Sequence, residues 1–425
     1  MKIKTATLAG LFIPIALLSE FYYIPVMGGY LRPIHLLAPL VIVLFVTHLS
    51  KLLSAPLLWI LLSLLAVNLL TALISDAPSA AFNSFLLLVA NSTIAISTAA
   101  VLASKRVSLE SVHSFVTFSL IASVIWGIIQ VLAFSLGGFN LGFSEQQLAQ
   151  ISAGFAPAFR TEANTFAKFI NTAFLLTFPA MFSLRKGHIF ALYAALVAIG
   201  LLITFTRSIL YTLPLTLIII LLWYQFSSAG RLMTRRTLIL ASFFFAAFLI
   251  YSNFTQSISE YATHKIANFF SAEEVLSGDS SSLRIEWQMA LVNSFTGSLD
   301  GFLFGTGWGQ IFYHYYDVEM QPGGADILVF AAYGGVFSGL LYLAMIASAL
   351  HSTSNMSRIT GGSRESVYHQ GIFFSVLGLT ITGFVNGSLN SPEYWIVIGL
   401  AIFSSMQHQL RSARIVNRVE INLAS

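Results

Sequence analysis

The chain has 425 residues, of which 56% are hydrophobic and 9% charged, against roughly 45–50% and 25% in an ordinary soluble domain. A mean hydropathy of +0.81 with 37 Phe and no Cys excludes a soluble catalytic domain, a disulfide scaffold and a thiolate metal site. The formal charge of +4 fits basic loops beside anionic lipid; no basic patch interleaved with aromatics points to nucleic acid.

A bilayer core about 30 Å thick takes about 20 apolar residues per helix, because lipid offers the backbone no hydrogen-bond partner. Apolar runs predict spans near 5–26, 34–50, 55–75, 80–104, 111–135, 163–184, 188–206, 208–226, 237–253, 325–350, 369–388 and 391–407. The expected fold is therefore all-α, a polytopic integral membrane protein of about twelve transmembrane helices. Glu20 near the end of the first run, and no small-residue cleavage site after it, favour a retained helix over a removable signal peptide.

The stretch 188–226 would be about 58 Å long as one helix, nearly twice the hydrocarbon thickness, so it must fold back. Basic residues flank both of its ends (Arg185, Lys186, Arg231, Arg235 and Arg236), and Arg207 sits at the middle. The positive-inside preference then places the turn with Arg207 outside. The same alternation puts Lys2, Lys4, Lys51, Lys105, Arg106, Arg358, Arg364, Arg411, Arg414 and Arg418 in the cytoplasm with both termini. Arg32, Arg160, Lys168, Arg207, Lys265 and Arg284 are left on the outer side.

Three segments follow: helices one to nine over 1–253, a large outer loop over 254–324, and helices ten to twelve with a short tail over 325–425. A loop of about seventy residues usually has a function. Within it, Ser282 to Leu291 has the spacing of an amphipathic helix, and Gly305, Gly307 and Gly309 follow. These glycines open no strong helix, so a tight turn laid on the bilayer and anchored by Trp308 is the better reading than a nucleotide loop. A shorter outer loop, 136–162, carries Gln146, Gln147 and then Arg160-Thr-Glu162.

Arg160, Arg207 and Arg284 all defy the inside preference. A guanidinium stays charged and presents a planar fork suited to phosphate oxygens, so three converging forks would make a diphosphate site, deepened by Lys168 two helical turns after Arg160. The competing reading has each arginine reaching headgroups or pairing with a carboxylate, Glu162 for Arg160, and Lys168 reaching the interface along its own stem.

At Phe159-Arg160-Thr-Glu162-Ala-Asn164, at Thr204-Phe-Thr206-Arg207-Ser208, and at Arg284 to Trp287 with the Gly305 and Gly307 turn, the chain resembles the O-antigen polymerase and O-antigen ligase superfamily of bacterial polysaccharide assembly. The resemblance spans about residues 110–407 through short motifs. It implies a helical membrane glycosyltransferase (GT-C-like) of the bacterial inner membrane, independent of metal and cofactor. The implied substrates are undecaprenyl-diphosphate-linked glycans handled at the periplasmic face, with membrane lipid and a chain-length regulator protein as further partners. Ligases of this superfamily are similar to one another in a His-Asn segment ending the large loop; here Gly323-Gly324-Ala-Asp326 stands in its place, which favours a polymerase.

The implied reaction is inverting attack by a sugar hydroxyl on the anomeric carbon of a lipid-linked chain, with arginine forks stabilising the departing diphosphate. Asp326 is the preferred general base, with Glu162 next and His314 third. Their competing readings are a helix cap, a salt bridge and a solvated loop residue. Asn386, Ser388, Asn390, Glu393 and Tyr394 ring the outer ends of the last two spans, as a sugar-binding rim or any interfacial turn would. The alternatives are a ligase and, in a different class, a carrier of lipid-linked sugars; a carrier of two similar six-helix halves would show a repeat, and none is visible.

Overall fold

The computed structural model describes residues 5–20, 24–26, 29–152, 155–160, 162–184, 187–204, 206–225, 279–311, 313–315, 318–320, 324–385 and 387–424. Its elements are α1 (Thr5–Leu18), β1 (Ile24–Val26), β2 (Gly29–Leu31), α2 (Pro33–Leu44), α3 (Val46–Leu52), α4 (Pro56–Ile74), α5 (Pro78–Ala103), α6 (Leu109–Gly137), α7 (Glu145–Ser152), α8 (Ala163–Leu184), α9 (Gly187–Thr204) and α10 (Arg207–Gln225). After the undescribed stretch come α11 (Asp279–Thr296), α12 (Leu299–Phe304), β3 (Tyr313–Tyr315), β4 (Val318–Met320), α13 (Asp326–Ile359), α14 (Arg364–Val385) and α15 (Pro392–Ala424). The expected ninth span, 237–253, lies outside the described residues.

Among the described residues the regular structure is helical except for two antiparallel hairpins of three-residue strands, β1–β2 and β3–β4. Seven described helices are long and apolar enough to cross a membrane, so the protein is a polytopic membrane protein. The expected span at 34–50 is not one straight helix: α2 and α3 are together apolar enough to cross but are bent by 86° at Phe45, whose side chain is buried in the core while its N–H is shared between the carbonyls of Val41 and Ile42.

Local chemistry sets the helix ends. Pro opens α2, α4 and α5 at a first-turn position, where its missing N–H costs nothing. Ser108 caps α6 by accepting the N–H of Ser111, and Gly138 ends that helix in the left-handed conformation at φ 68°. Within the bundle α14 lies between α8 and α13, α15 packs on α5, and α4 packs on α13. The apolar stretch 188–226 divides where expected, with α9 ending at Thr204 and α10 starting at Arg207.

The expected tenth span is broken. Gly335 in α13 has φ 73° and ψ −176°, which interrupts the hydrogen-bond ladder. The carbonyls of Ala332 and Tyr333 are taken up instead by the N–H groups of Thr306 and Gly307. Lipid would leave those carbonyls unpaired; a protein segment can satisfy them. The tight turn at 305–309 is present, but it is laid against this break rather than anchored outward. Trp308 packs 5.2 Å from the Phe330 ring and 5.4 Å from Tyr333. The segment 282–291 is helical but not amphipathic as expected, since Leu291 is buried while Ile285 and Met289 are exposed.

Candidate functional site

Charged side chains from five separate helix ends meet at one end of the bundle. Glu20 follows α1, Arg32 precedes α2, Arg160 precedes α8, Asp326 opens α13 and Glu393 lies in the first turn of α15. Arg160 is completely buried and forms ion pairs with Glu20 and, at 3.1 Å, with Glu393. Arg32 pairs with Glu20 at 3.1 Å, and its Nη1 donates to the carbonyl of Asn390. The guanidinium carbon of Arg160 also stands 4.2 Å from the centre of the Phe169 ring, a cation–π contact.

Burial lowers the pKa of Arg160, and the adjacent Glu393 carboxylate opposes the shift. Arg32 is pushed down to about 10 by burial, with Glu393 again opposing. Each guanidinium keeps a carboxylate partner that favours its charged form.

The loop that delivers Arg160 is held by two buried glutamines. Gln147 donates to the carbonyls of Ala158 and Arg160 and accepts the N–H of Phe143. Gln130 accepts the N–H of Ala158 and donates to Leu141. Ala158, at φ 50°, takes a conformation that side chains other than Gly rarely adopt, and these bonds hold it there. Of the two, Gln147 was visible in the sequence as part of the outer loop; Gln130, inside the expected span 111–135, was not, and neither were their targets.

A second group adjoins the first through the connection between α14 and α15. Lys168 Nζ donates to the Gly387 carbonyl at 2.7 Å. The Ser388 N–H donates to Asp326 Oδ1 at 2.8 Å. Asp326 is buried, interacts electrostatically with Lys168, and neighbours the hydroxyls of Tyr342 and Tyr394. Small residues make room for it: a Cβ on Gly383 would stand 2.6 Å from Asp326 Oδ2 and one on Gly387 2.9 Å from Oδ1.

One expectation and two of the competing readings are corrected here. Arg160 does not present an open fork, because Glu20 and Glu393 already surround it and the residue is closed from solvent. Asp326 is not the cap of its helix; that position is Ala325, and Asp326 instead fixes the α14–α15 turn. Lys168 is half-buried and turned inward to Gly387 rather than reaching outward. Glu162 lies just before α8, where its carbonyl accepts the Thr165 hydroxyl.

Asn386 and the side chains of Arg207, Arg284 and His314 lie outside the described residues, but the elements carrying the two arginines are placed. Thr206, next to Arg207, donates to Asn164 at the start of α8 at 3.1 Å. On α11, which carries Arg284, Gln288 and Leu291 lie against Gly324, two residues before Asp326. Ser388, Asn390, Glu393 and Tyr394 all lie at the site: Glu393 and the Asn390 backbone as partners of the arginines, Ser388 and Tyr394 beside Asp326. Glu20 as a central counter-ion was not anticipated. An acidic residue ending an otherwise apolar run was the one available signal. No family model matches the chain, and no curated protein matches it either.

Proposed function

We propose that this protein is a membrane glycosyltransferase that polymerises undecaprenyl-diphosphate-linked repeat units at the outer face of the bacterial inner membrane. The observation that carries the proposal is the convergence of Lys168 and Asp326, distant along the chain, on the single turn between α14 and α15, with Arg160 paired to Glu393 in the first turn of α15. The acceptor hydroxyl attacks the anomeric carbon, the bond to the diphosphate oxygen breaks with inversion, and the hydroxyl proton passes to a carboxylate, for which Asp326 is the first choice.

Electrostatics assigns the remaining roles. Arg32, Arg160 and Lys168 are matched by Glu20, Glu393 and Asp326, so these six charges leave nothing over for a diphosphate. Arg160 is accordingly a positioning residue that ties its loop to α1 and α15. The surplus charge that holds the leaving group comes from Arg207 and Arg284, whose elements border the same end of the bundle. Forks aimed at developing charge in a site shielded from water are effective catalysts without other chemistry.

Purified protein supplied with lipid-linked repeat units is expected to lengthen the glycan and release undecaprenyl diphosphate. Movement of intact units between leaflets, with no new glycosidic bond, would make it a carrier. Transfer of finished polymer to a lipid A-core acceptor would make it a ligase.

A further inference from the structure

At the opposite end of α8 and α14 a cavity of about 410 Å³ opens among α6, α8 and α14. Its polar lining includes Glu110, His113, Arg364 and Tyr368, and Phe118 and Leu184 stand on its apolar wall. None of these residues belongs to the cluster around Arg160, and the proposed reaction uses none of them.

His113 is buried one turn into α6 with its ring 4.7 Å from that of Tyr368. The Tyr368 backbone is the hydrogen-bond partner its ring meets among the described residues, so at least one ring nitrogen has none. A buried imidazole left this way costs free energy unless something else meets it. Ionisable residues inside membrane spans mark sites by default.

Glu110 and Arg364 are exposed on two different helices at the mouth, and no ion pair joins them. The cavity thus offers one cation and one anion held apart, a buried neutral donor and acceptor between polar and apolar zones, and a wall that continues to the 60% exposed Phe118 on the lipid-facing side. A free cytosolic anion would have no use for Glu110 or for the apolar wall.

We propose that this cavity binds a zwitterionic phospholipid of the ethanolamine type from the leaflet on the basic, cytoplasmic side. Arg364 takes the phosphate, Glu110 takes the ammonium, His113 bonds to a phosphate or glycerol-ester oxygen, and the acyl chains lie along Phe118 and Leu184. The charge pair on the protein is complementary to the charge pair on the headgroup. The inference does not depend on the glycosyltransferase reading, since its readout is lipid retention and not polymer.

The test is native mass spectrometry of the purified full-length protein in mild detergent, titrated with phosphatidylethanolamine and phosphatidylglycerol of matched chains, and separately with ATP. The wild type is expected to retain phosphatidylethanolamine at least about fivefold better than phosphatidylglycerol. Arg364→Ala should reduce retention of both lipids. Glu110→Gln should erase the preference while leaving phosphatidylglycerol bound. Both substitutions lie on exposed residues, so the fold is not at stake in either. Equal retention of the two lipids by the wild type, wild-type retention by both variants, or displacement of lipid by ATP would overturn the proposal.

Discussion

Replacing Arg160 by Ala strands two buried carboxylates, Glu20 and Glu393, beside a single remaining neighbour, Arg32. Breaking a buried pair in this way costs about 3–5 kcal/mol. Arg160→Ala should therefore lower the unfolding temperature in detergent sharply, whereas Arg160→Met combined with Glu393→Gln, which leaves the Glu20–Arg32 pair intact, should recover much of the loss. A single Arg160→Ala variant as stable as wild type would remove the electrostatic account. Lys168→Gln is different: it keeps a donor for Gly387 but loses the charge beside Asp326. Chain growth should drop by about 10²-fold with little change in unfolding temperature, read by gel separation of the glycan. At this scale the sequence was half legible. Arg160 stood out because it broke the charge bias, and Asp326 because it replaced an expected segment. The partners of Arg160 were hidden because ion pairing across 233 positions, to Glu393, leaves no local trace.

The element with the most information per residue is α13. Its break at Gly335 and the turn at 305–309 are two halves of one device: the helix gives up two carbonyls and the turn supplies two N–H groups. The backbones are in contact, since a Cβ on Gly335 would stand 2.2 Å from the Leu303 carbonyl oxygen. Gly335→Ala combines a positive φ with this overlap and should cost about 3 kcal/mol or more. Gly362→Ala, also at positive φ but with open space around it, should cost about 1 kcal/mol. Thermal unfolding of the two variants compares them directly, and equal losses would mean that the contact between turn and break contributes nothing. The device also holds the short first segment of α13, and with it Asp326, so chain growth should fall in the first variant and persist in the second. The glycines of the turn were readable as a turn. The break was not, because Tyr333-Gly-Gly-Val inside an apolar run has the same hydropathy as a continuous span.

For the whole molecule, composition alone was sufficient to place the chain in a membrane, because 56% apolar residues cannot be covered by a soluble fold of this size. The positions of most helices followed from length and apolarity, two quantities that the bilayer itself imposes. Bends did not follow, since the 86° turn at Phe45 depends on what packs around it. Orientation rests on a separate argument, the count of Lys and Arg on either side, and it can be tested independently of the fold. The chain has no Cys, so single cysteines can be introduced without background. Asp300→Cys, on the exposed start of α12 in the large loop, should react with an impermeant maleimide on intact spheroplasts. Lys105→Cys, in the exposed connection between α5 and α6, should react only after permeabilisation. The reverse pattern would put the Glu20–Arg160–Asp326 cluster in the cytoplasm. A polyprenyl-diphosphate glycan displayed outside could not then reach it, and the polymerase reading would fail with the topology, whereas the lipid cavity at the other end of α8 and α14 would simply change leaflet.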